Sequence, residues 1–279
     1  MKINIGNTDL IYKDGLYYKL EYNNPTGSIK DRPAYNILYE YINKGILKKG
    51  DTIVEATSGN MGISLAYFGA HFGINVVIVI PDNVSVERVK LLEKYGAKVI
   101  LKHSLIECIE EVNYLVKKEK YIPINQFENI YNYLAYLKMG KEIFEKLEYV
   151  DYIICGIGTA GTIRGLSEYI KNNNLKTKII GVEPDESAVI SKGLTGVHNI
   201  QGIGAGFIPP LLDLNKIDLI ETVKTSDVLS DFKKNNSLGL GLSGIACKIV
   251  GLKILEKEKD AKIVVIVADG ITRYESMIK

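Results

Sequence analysis

The chain has 279 residues, enough for one large domain or two of ordinary size. Its hydrophobic share of 46% and charged share of 24% are those of an ordinary folded protein, which excludes disorder, collagen-like repeats and coiled coil as readings of the whole. A net charge of +2, with the 18 tyrosines spread along the chain rather than set among basic patches, argues against nucleic acid or an acidic membrane surface as the main partner.

The first ten residues have neither an apolar run nor a small-residue cleavage site, so no signal peptide is expected. Short β-branched runs then alternate with longer helical patterns. Thr52–Glu55, Asn75–Ile80, Ala97–Leu101, Tyr152–Cys155, Lys178–Val182 and Lys262–Ala268 read as strands. They lack strict in–out alternation, as strands buried on both faces do. Gly62–Phe72, Val86–Tyr95, Ser104–Lys118 and Ile163–Asn172 read as helices. Such alternation predicts an α/β fold of parallel sheet built from right-handed βαβ units, with its sites at the carboxyl ends of strands. The loops at 57–62, 156–162 and 268–274 occupy that position. The strongest apolar runs are far too short to cross a bilayer, so no membrane role is expected. The three cysteines (Cys108, Cys155, Cys247) are far apart and odd in number, which points to a reducing cytoplasm and away from a disulfide framework. His71, His103 and His198 share no ligand spacing with them, so no metal site is expected.

Four stretches carry candidate chemistry. In Asn24-Pro25-Thr26-Gly27-Ser28-Ile29-Lys30-Asp31-Arg32-Pro33, Ser28 is placed to cap a helix, with Asp31 closing a capping box. Lys30 then falls in the first helical turn, where the dipole disfavours its charged form and makes the amine a better nucleophile. In Glu55-Ala56-Thr57-Ser58-Gly59-Asn60-Met61-Gly62, the density of hydroxyl, amide and backbone N–H groups exceeds what a turn needs and suits an anion such as a carboxylate. Gly156-Ile157-Gly158-Thr159-Ala160-Gly161-Thr162 lies between a strand and a helix, as a phosphate loop does. It also satisfies G-x-G-x-x-G, with Glu183 at the end of the next strand, so a nicotinamide-dependent oxidoreductase is a competing reading. At least three strands precede this loop, however, whereas a dinucleotide site normally follows the first. The fourth stretch, His198–Phe207, has the glycine spacing of a backbone that lies flat against a ligand.

Taken together these residues resemble the cysteine synthase family, within fold type II (the β-family) of pyridoxal-phosphate enzymes. The resemblance runs from Ile5-Gly6-Asn7-Thr8 through Lys19-Leu20-Glu21-Tyr22, the Ser-Ile-Lys-Asp-Arg stretch, Thr57–Gly62, Pro81-Asp82-Asn83, Asn125-Gln126-Phe127, Gly158–Thr162, Val182-Glu183-Pro184 and His198–Phe207 to Arg273-Tyr274. It implies two three-layer α/β domains with mostly parallel sheets and the cofactor between them. Residues 31–134 would form the smaller domain, with the carboxylate loop. Residues 1–30 plus 135–279 would form the larger, with the phosphate loop. It further implies that Lys30 forms the Schiff base with pyridoxal 5'-phosphate and later moves the substrate α-proton. Asn60 would bond the pyridine 3' oxygen, and Gly158, Thr159, Ala160, Gly161 and Thr162 would cradle the phosphate. Thr57, Ser58, Met61 and Gln126 would hold the substrate carboxylate, and Gly204 would line the cleft. A homodimer acting on a small amino acid, with sulfide or another small nucleophile, is the implied assembly and chemistry.

The sequence departs from the family pattern at four places. Gly270, in Asp269-Gly270-Ile271-Thr272-Arg273-Tyr274, stands where a serine faces the pyridine nitrogen, and Thr272 is the nearest hydroxyl that could take its place. Met61 replaces a threonine of the carboxylate loop. Ala160 replaces a common glycine, which a methyl group tolerates if φ is negative. Residues 130–139 lack the Pro-rich, Thr-Thr character of the family, and the chain is shorter than typical members. The leading expectation is cysteine synthase, converting O-acetyl-L-serine and sulfide to L-cysteine and acetate. The alternatives are a cysteine lyase or desulfhydrase releasing hydrogen sulfide, a cystathionine- or diaminopropionate-type synthase, the nicotinamide enzyme, and a non-catalytic partner-binding member.

Overall fold

A computed structural model describes residues 3–57, 59–82 and 86–274. In chain order the elements are β1 (Leu10–Lys13), β2 (Leu16–Leu20), α1 (Asp31–Asn43), β3 (Thr52–Ala56), α2 (Asn60–Phe72), β4 (Asn75–Pro81), α3 (Val86–Lys94), β5 (Lys98–Lys102), α4 (Leu105–Lys118) and β6 (Ile122–Pro123). There follow α5 (Ile130–Leu134), α6 (Leu137–Phe144), β7 (Tyr152–Gly156), α7 (Gly161–Asn172), β8 (Lys178–Pro184), α8 (Val189–Lys192), β9 (Leu219–Val223), α9 (Thr225–Lys234), α10 (Leu242–Lys257) and β10 (Ile263–Val267). The chain divides into two compact units, one of residues 1–29 and 133–279, the other of residues 30–132.

The 30–132 unit holds a four-stranded sheet in the order β5-β4-β3-β6, parallel throughout. Its strand residues alternate between two covered faces. Val54, Val77 and Val79 pack with Cys108 and Leu115 of α4. On the opposite face α2 lies against Val76 and Ile78, so closely that a Cβ on Gly69 or Gly62 would meet their methyl groups at 2.2 and 3.2 Å. Burial on both faces explains why these strands read as continuous apolar runs.

The other unit holds a six-stranded sheet in the order β1-β2-β10-β7-β8-β9. Ile263, Val265 and Val267 face a core shared with Ile245, Ala246 and Val250 of α10. Val264 and Ile266 face the opposite core, shared with Met139 and Ile143 of α6 and Ile163 and Leu166 of α7. All pairings are parallel except β1 with β2. That hairpin turns at Asp14-Gly15, whose φ values of 50° and 81° are both positive, as a tight hairpin turn between twisted strands requires. Asp-Gly between Tyr-rich runs is the local signal for it. The α/β class, the parallel sheets and the three-layer build of each unit match the expected fold class.

One local expectation is overturned. Ser28 does not cap α1: it forms an antiparallel bridge with Asp269, and the Ile29 N–H donates to the Ala268 carbonyl at 2.7 Å. With Ser28 held in that bridge, the helix begins at Asp31 and Lys30 becomes the N-cap residue itself, with φ −70° and ψ −13°. The Asp31 carboxylate accepts the Ser64 hydroxyl at 2.7 Å.

Candidate active site

Three loops follow the carboxyl ends of β3, β7 and β10. In the larger unit, β7 runs into Gly156–Ala160 and then α7, which begins at Gly161 with no side-chain cap on its N-terminus. The first N–H groups of a helix have no intrahelical acceptor, and the dipole favours an anion beside them. The Gly161 N–H donates to the Thr159 hydroxyl at 3.4 Å, which tightens the turn. Gly158 is fixed by packing: a Cβ there would lie 2.4 Å from the Gly202 carbonyl oxygen. The two glycine-bearing loops therefore touch backbone to backbone, and the Gly204 N–H donates to the Ile157 carbonyl at 2.9 Å. Such a cradle of small residues at a helix N-terminus fits a phosphate monoester.

Ala160 has φ 64° and ψ 1°, the left-handed region, so the tolerance expected for its methyl group at negative φ does not apply. A non-glycine residue there is strained by about 1 kcal/mol. Ala160→Gly is accordingly expected to raise the unfolding free energy by about 1 kcal/mol in urea titrations. A decrease would mean that the methyl group's packing in the 3%-exposed site outweighs the strain.

The 198–206 stretch is held by an imidazole that sequence reading left without a role. His198 accepts the Ile200 N–H at Nδ1 (3.2 Å), which places its proton on Nε2 for donation to the Gly204 carbonyl (3.0 Å). Gly204 has φ 67°, and a Cβ would meet His198 Nε2 and the Pro184 ring at 2.7 Å. Glycine is thus required where the cleft-lining residue was expected.

Glu183 is 1% exposed, and its two oxygens accept the Ile190 and Ser191 N–H groups at 3.0 and 2.8 Å. A carboxylate committed to a neighbouring turn is not placed to read a ribose hydroxyl, which weakens the nicotinamide reading. Gly270 is buried, and a Cβ there would press on the Gly239 carbonyl and the Tyr22 ring carbons at 3.3 Å, so Tyr22 fills the room a serine would need. Thr272 lies exposed in a single 3-10 turn, Ile271–Arg273.

In the smaller unit, Thr57 leads from β3 toward α2, and its hydroxyl accepts the Gly59 N–H at 3.3 Å. Helix α2 starts at Asn60 without a side-chain cap, so this N-terminus too is suited to an anion. Ser58, expected to join the carboxylate loop, lies outside the described residues, as does Asn83. The Met61 side chain is 1% exposed and belongs to the core, which leaves its backbone for any ligand contact. Gln126 is buried beside the end of β3, where its carbonyl accepts the Asn132 amide at 2.6 Å. Lys30 opens α1 and is half-buried.

The remaining nucleophile candidates are inert. Burial pushes the Cys155 thiol well above its ordinary range and Cys247 up to about 12. Among the described residues no three His, Cys, Asp or Glu side chains are grouped to hold a metal ion, and no helix is long and apolar enough to cross a membrane.

Comparison with known proteins accounts for this arrangement. A curated cysteine synthase from Buchnera aphidicola is 40% identical, covering 98% of this chain and 92% of that protein. The crystal structure of a cysteine synthase from Entamoeba histolytica superposes with a TM-score of 0.93 at 39% identity, over 98% of this chain and 87% of that one. A hydrogen sulfide-producing enzyme from Fusobacterium nucleatum gives a TM-score of 0.90 at 36% identity and covers 97% of both chains. The family model for pyridoxal-phosphate dependent enzymes matches residues 2–269. With the fold, the phosphate-suited loop and these likenesses in agreement, the chain belongs to the family of pyridoxal-phosphate dependent enzymes.

Proposed function

We propose that the protein is a cysteine synthase: O-acetyl-L-serine and hydrogen sulfide give L-cysteine and acetic acid. The observation that carries the reading is the seating of Ile29. It packs in the same core as Ile157 and Ala160 of the phosphate-suited loop, and its N–H is bonded to the end of β10, the strand beside β7. The next residue is Lys30, so an amine is tethered one peptide bond from that core.

Pyridoxal phosphate, when bound, supplies an electron sink that acidifies the amino acid's α-proton and loosens its β-substituent. Lys30 would hold the cofactor aldehyde through Nζ and, with that amine free, would take the proton from the substrate Cα. Gly158, Thr159, Ala160, Gly161 and Thr162 cradle the phosphate with backbone N–H groups and hydroxyls. Asn60 would bond the ring oxygen, and Gly270 would offer the cofactor only its backbone. Thr57, Ser58, the Met61 N–H and Gln126 bind the α-carboxylate at the start of α2, where the dipole offsets its charge. Gly204, held by His198, would line the cleft beside the Gly158 loop. A homodimer is the assembly favoured by the family resemblance, and three buried free thiols suit a reducing cytoplasm.

A second reading is favoured by one observation: a hydrogen sulfide-producing enzyme superposes over 97% of this chain at 36% identity. In that reading L-cysteine is the substrate and sulfide the product. The two are separated by paired assays. A cysteine synthase changes its cofactor spectrum with O-acetyl-L-serine and forms cysteine when sulfide is added. Rapid sulfide release from L-cysteine alone, without a second substrate, assigns the lyase. Absence of any cofactor absorbance defeats both.

A further inference from the structure

Glu55 is a carboxylate that neither reading uses. It lies at the end of β3, is 6% exposed, and stands two residues before Thr57. The chain leaving β6 crosses over it, because the Ile124 N–H donates to the Val54 carbonyl at 3.2 Å. Asn125 then adopts φ 53°, and its N–H donates to Glu55 Oε2 at 2.9 Å. Gln126 gives the same carboxylate both its backbone N–H and its side-chain amide. The turn is closed from the other side, since the Asn125 carbonyl accepts the Glu128 and Asn129 N–H groups, each at 2.9 Å.

A primary amide carries two N–H groups. One given to Glu55 leaves the other fixed in direction and available to a ligand. We propose that Glu55 is a positioning residue for amino-acid binding: its carboxylate locks the Gln126 amide so that the second N–H is presented to the substrate α-carboxylate. The inference rests on the proposed role of Gln126. Burial raises the Glu55 carboxyl to about 7 in spite of these donated bonds, so the lock changes near neutral pH. Tyr41 on α1 is the ionisable group facing it, with its own hydroxyl held by the Asn129 amide at 2.9 Å.

The test uses the holoenzyme and reads binding apart from turnover, by titrating O-acetyl-L-serine against the cofactor absorbance. Glu55→Gln is expected to keep that absorbance, weaken binding about tenfold and change kcat less than about threefold, the pattern of lost ground-state positioning. In a Gln126→Ala background, where the amide is already gone, the same change is expected to add less than about twofold. Wild-type affinity in Glu55→Gln, or equal weakening in both backgrounds, overturns the proposal. A readout that needs neither variant is the 15N shift of the wild-type Gln126 amide, which should move with a midpoint at the Glu55 pKa of about 7. A Gln126 amide shift that does not respond to protonation of Glu55 at any pH where the fold persists overturns the proposal even if Glu55→Gln does not fold. A protein without cofactor absorbance would instead defeat the functional reading, and the amide titration would still decide the role of Glu55.

Discussion

Replacing Lys30 by alanine is expected to lower kcat/KM by at least about a thousandfold, since the proposed function gives this residue both the covalent attachment of the cofactor and the base at the substrate α-carbon. The fold gives the experiment a clean reference. The backbone role of residue 30 survives truncation, because the Ala34 N–H bonds the residue-30 carbonyl at 3.0 Å and the Ile29 N–H bonds Ala268 at 2.7 Å. The unfolding transition should therefore stay cooperative, because these backbone bonds do not depend on the side chain. Steady-state kinetics beside a urea titration checks both parts. Activity within tenfold of wild type would assign the chemistry to another group, and gross unfolding would show that the lysine is structural.

The second large effect is expected at Lys19 in the larger unit. Lys19 is 0% exposed, and its ammonium pairs with Glu142 at 2.7 Å and donates to the Thr8 carbonyl at 2.8 Å. Glu21, also 0% exposed, accepts the Thr8 hydroxyl at 2.7 Å and the Asn24 amide at 2.8 Å. Asn24 in turn accepts the Gly6 N–H at 2.9 Å and heads the turn closed by the Gly27 N–H at 2.9 Å, just before the lysine-bearing stretch. Thr8 thus bonds both the buried Lys19 ammonium, through its carbonyl, and the buried Glu21 carboxylate, through its hydroxyl. Lys19→Met keeps much of the side-chain volume and removes the charge, and breaking a buried pair in this way costs about 3–5 kcal/mol. Denaturant titration should show that loss together with weaker retention of the cofactor. A loss below about 1 kcal/mol would mean that the network is a passive filling of the core.

These two residues mark how far the sequence could be read. Strands buried on both faces announce themselves, because continuous Val and Ile runs such as Val76–Ile80 and Ile263–Val267 admit few other roles. The hairpin of β1 and β2 is harder, since its Tyr-rich runs expose some positions and bury others, and only Asp14-Gly15 signals the turn. The phosphate-suited loop is legible because glycine spacing is a local property, even though the left-handed Ala160 is not. Lys19-Leu20-Glu21 is visible as part of a family pattern, but nothing local says that both charges are wholly buried. His198 and Glu55 escape for the same reason. Each acts through folded geometry, His198 on a carbonyl that a folded loop returns to it and Glu55 on a turn 70 positions further along the chain. The N-cap falls at Lys30 rather than Ser28, which pairs with Asp269 near the other end of the chain.

The central claim is that one lysine carries the cofactor. Borohydride reduction of the purified holoenzyme, followed by peptide mapping and mass analysis, tests it directly. The account predicts a single pyridoxyl group on the Nζ of Lys30, in the peptide that follows Ile29. A pyridoxyl group on any other lysine, or an active enzyme with none, would contradict it.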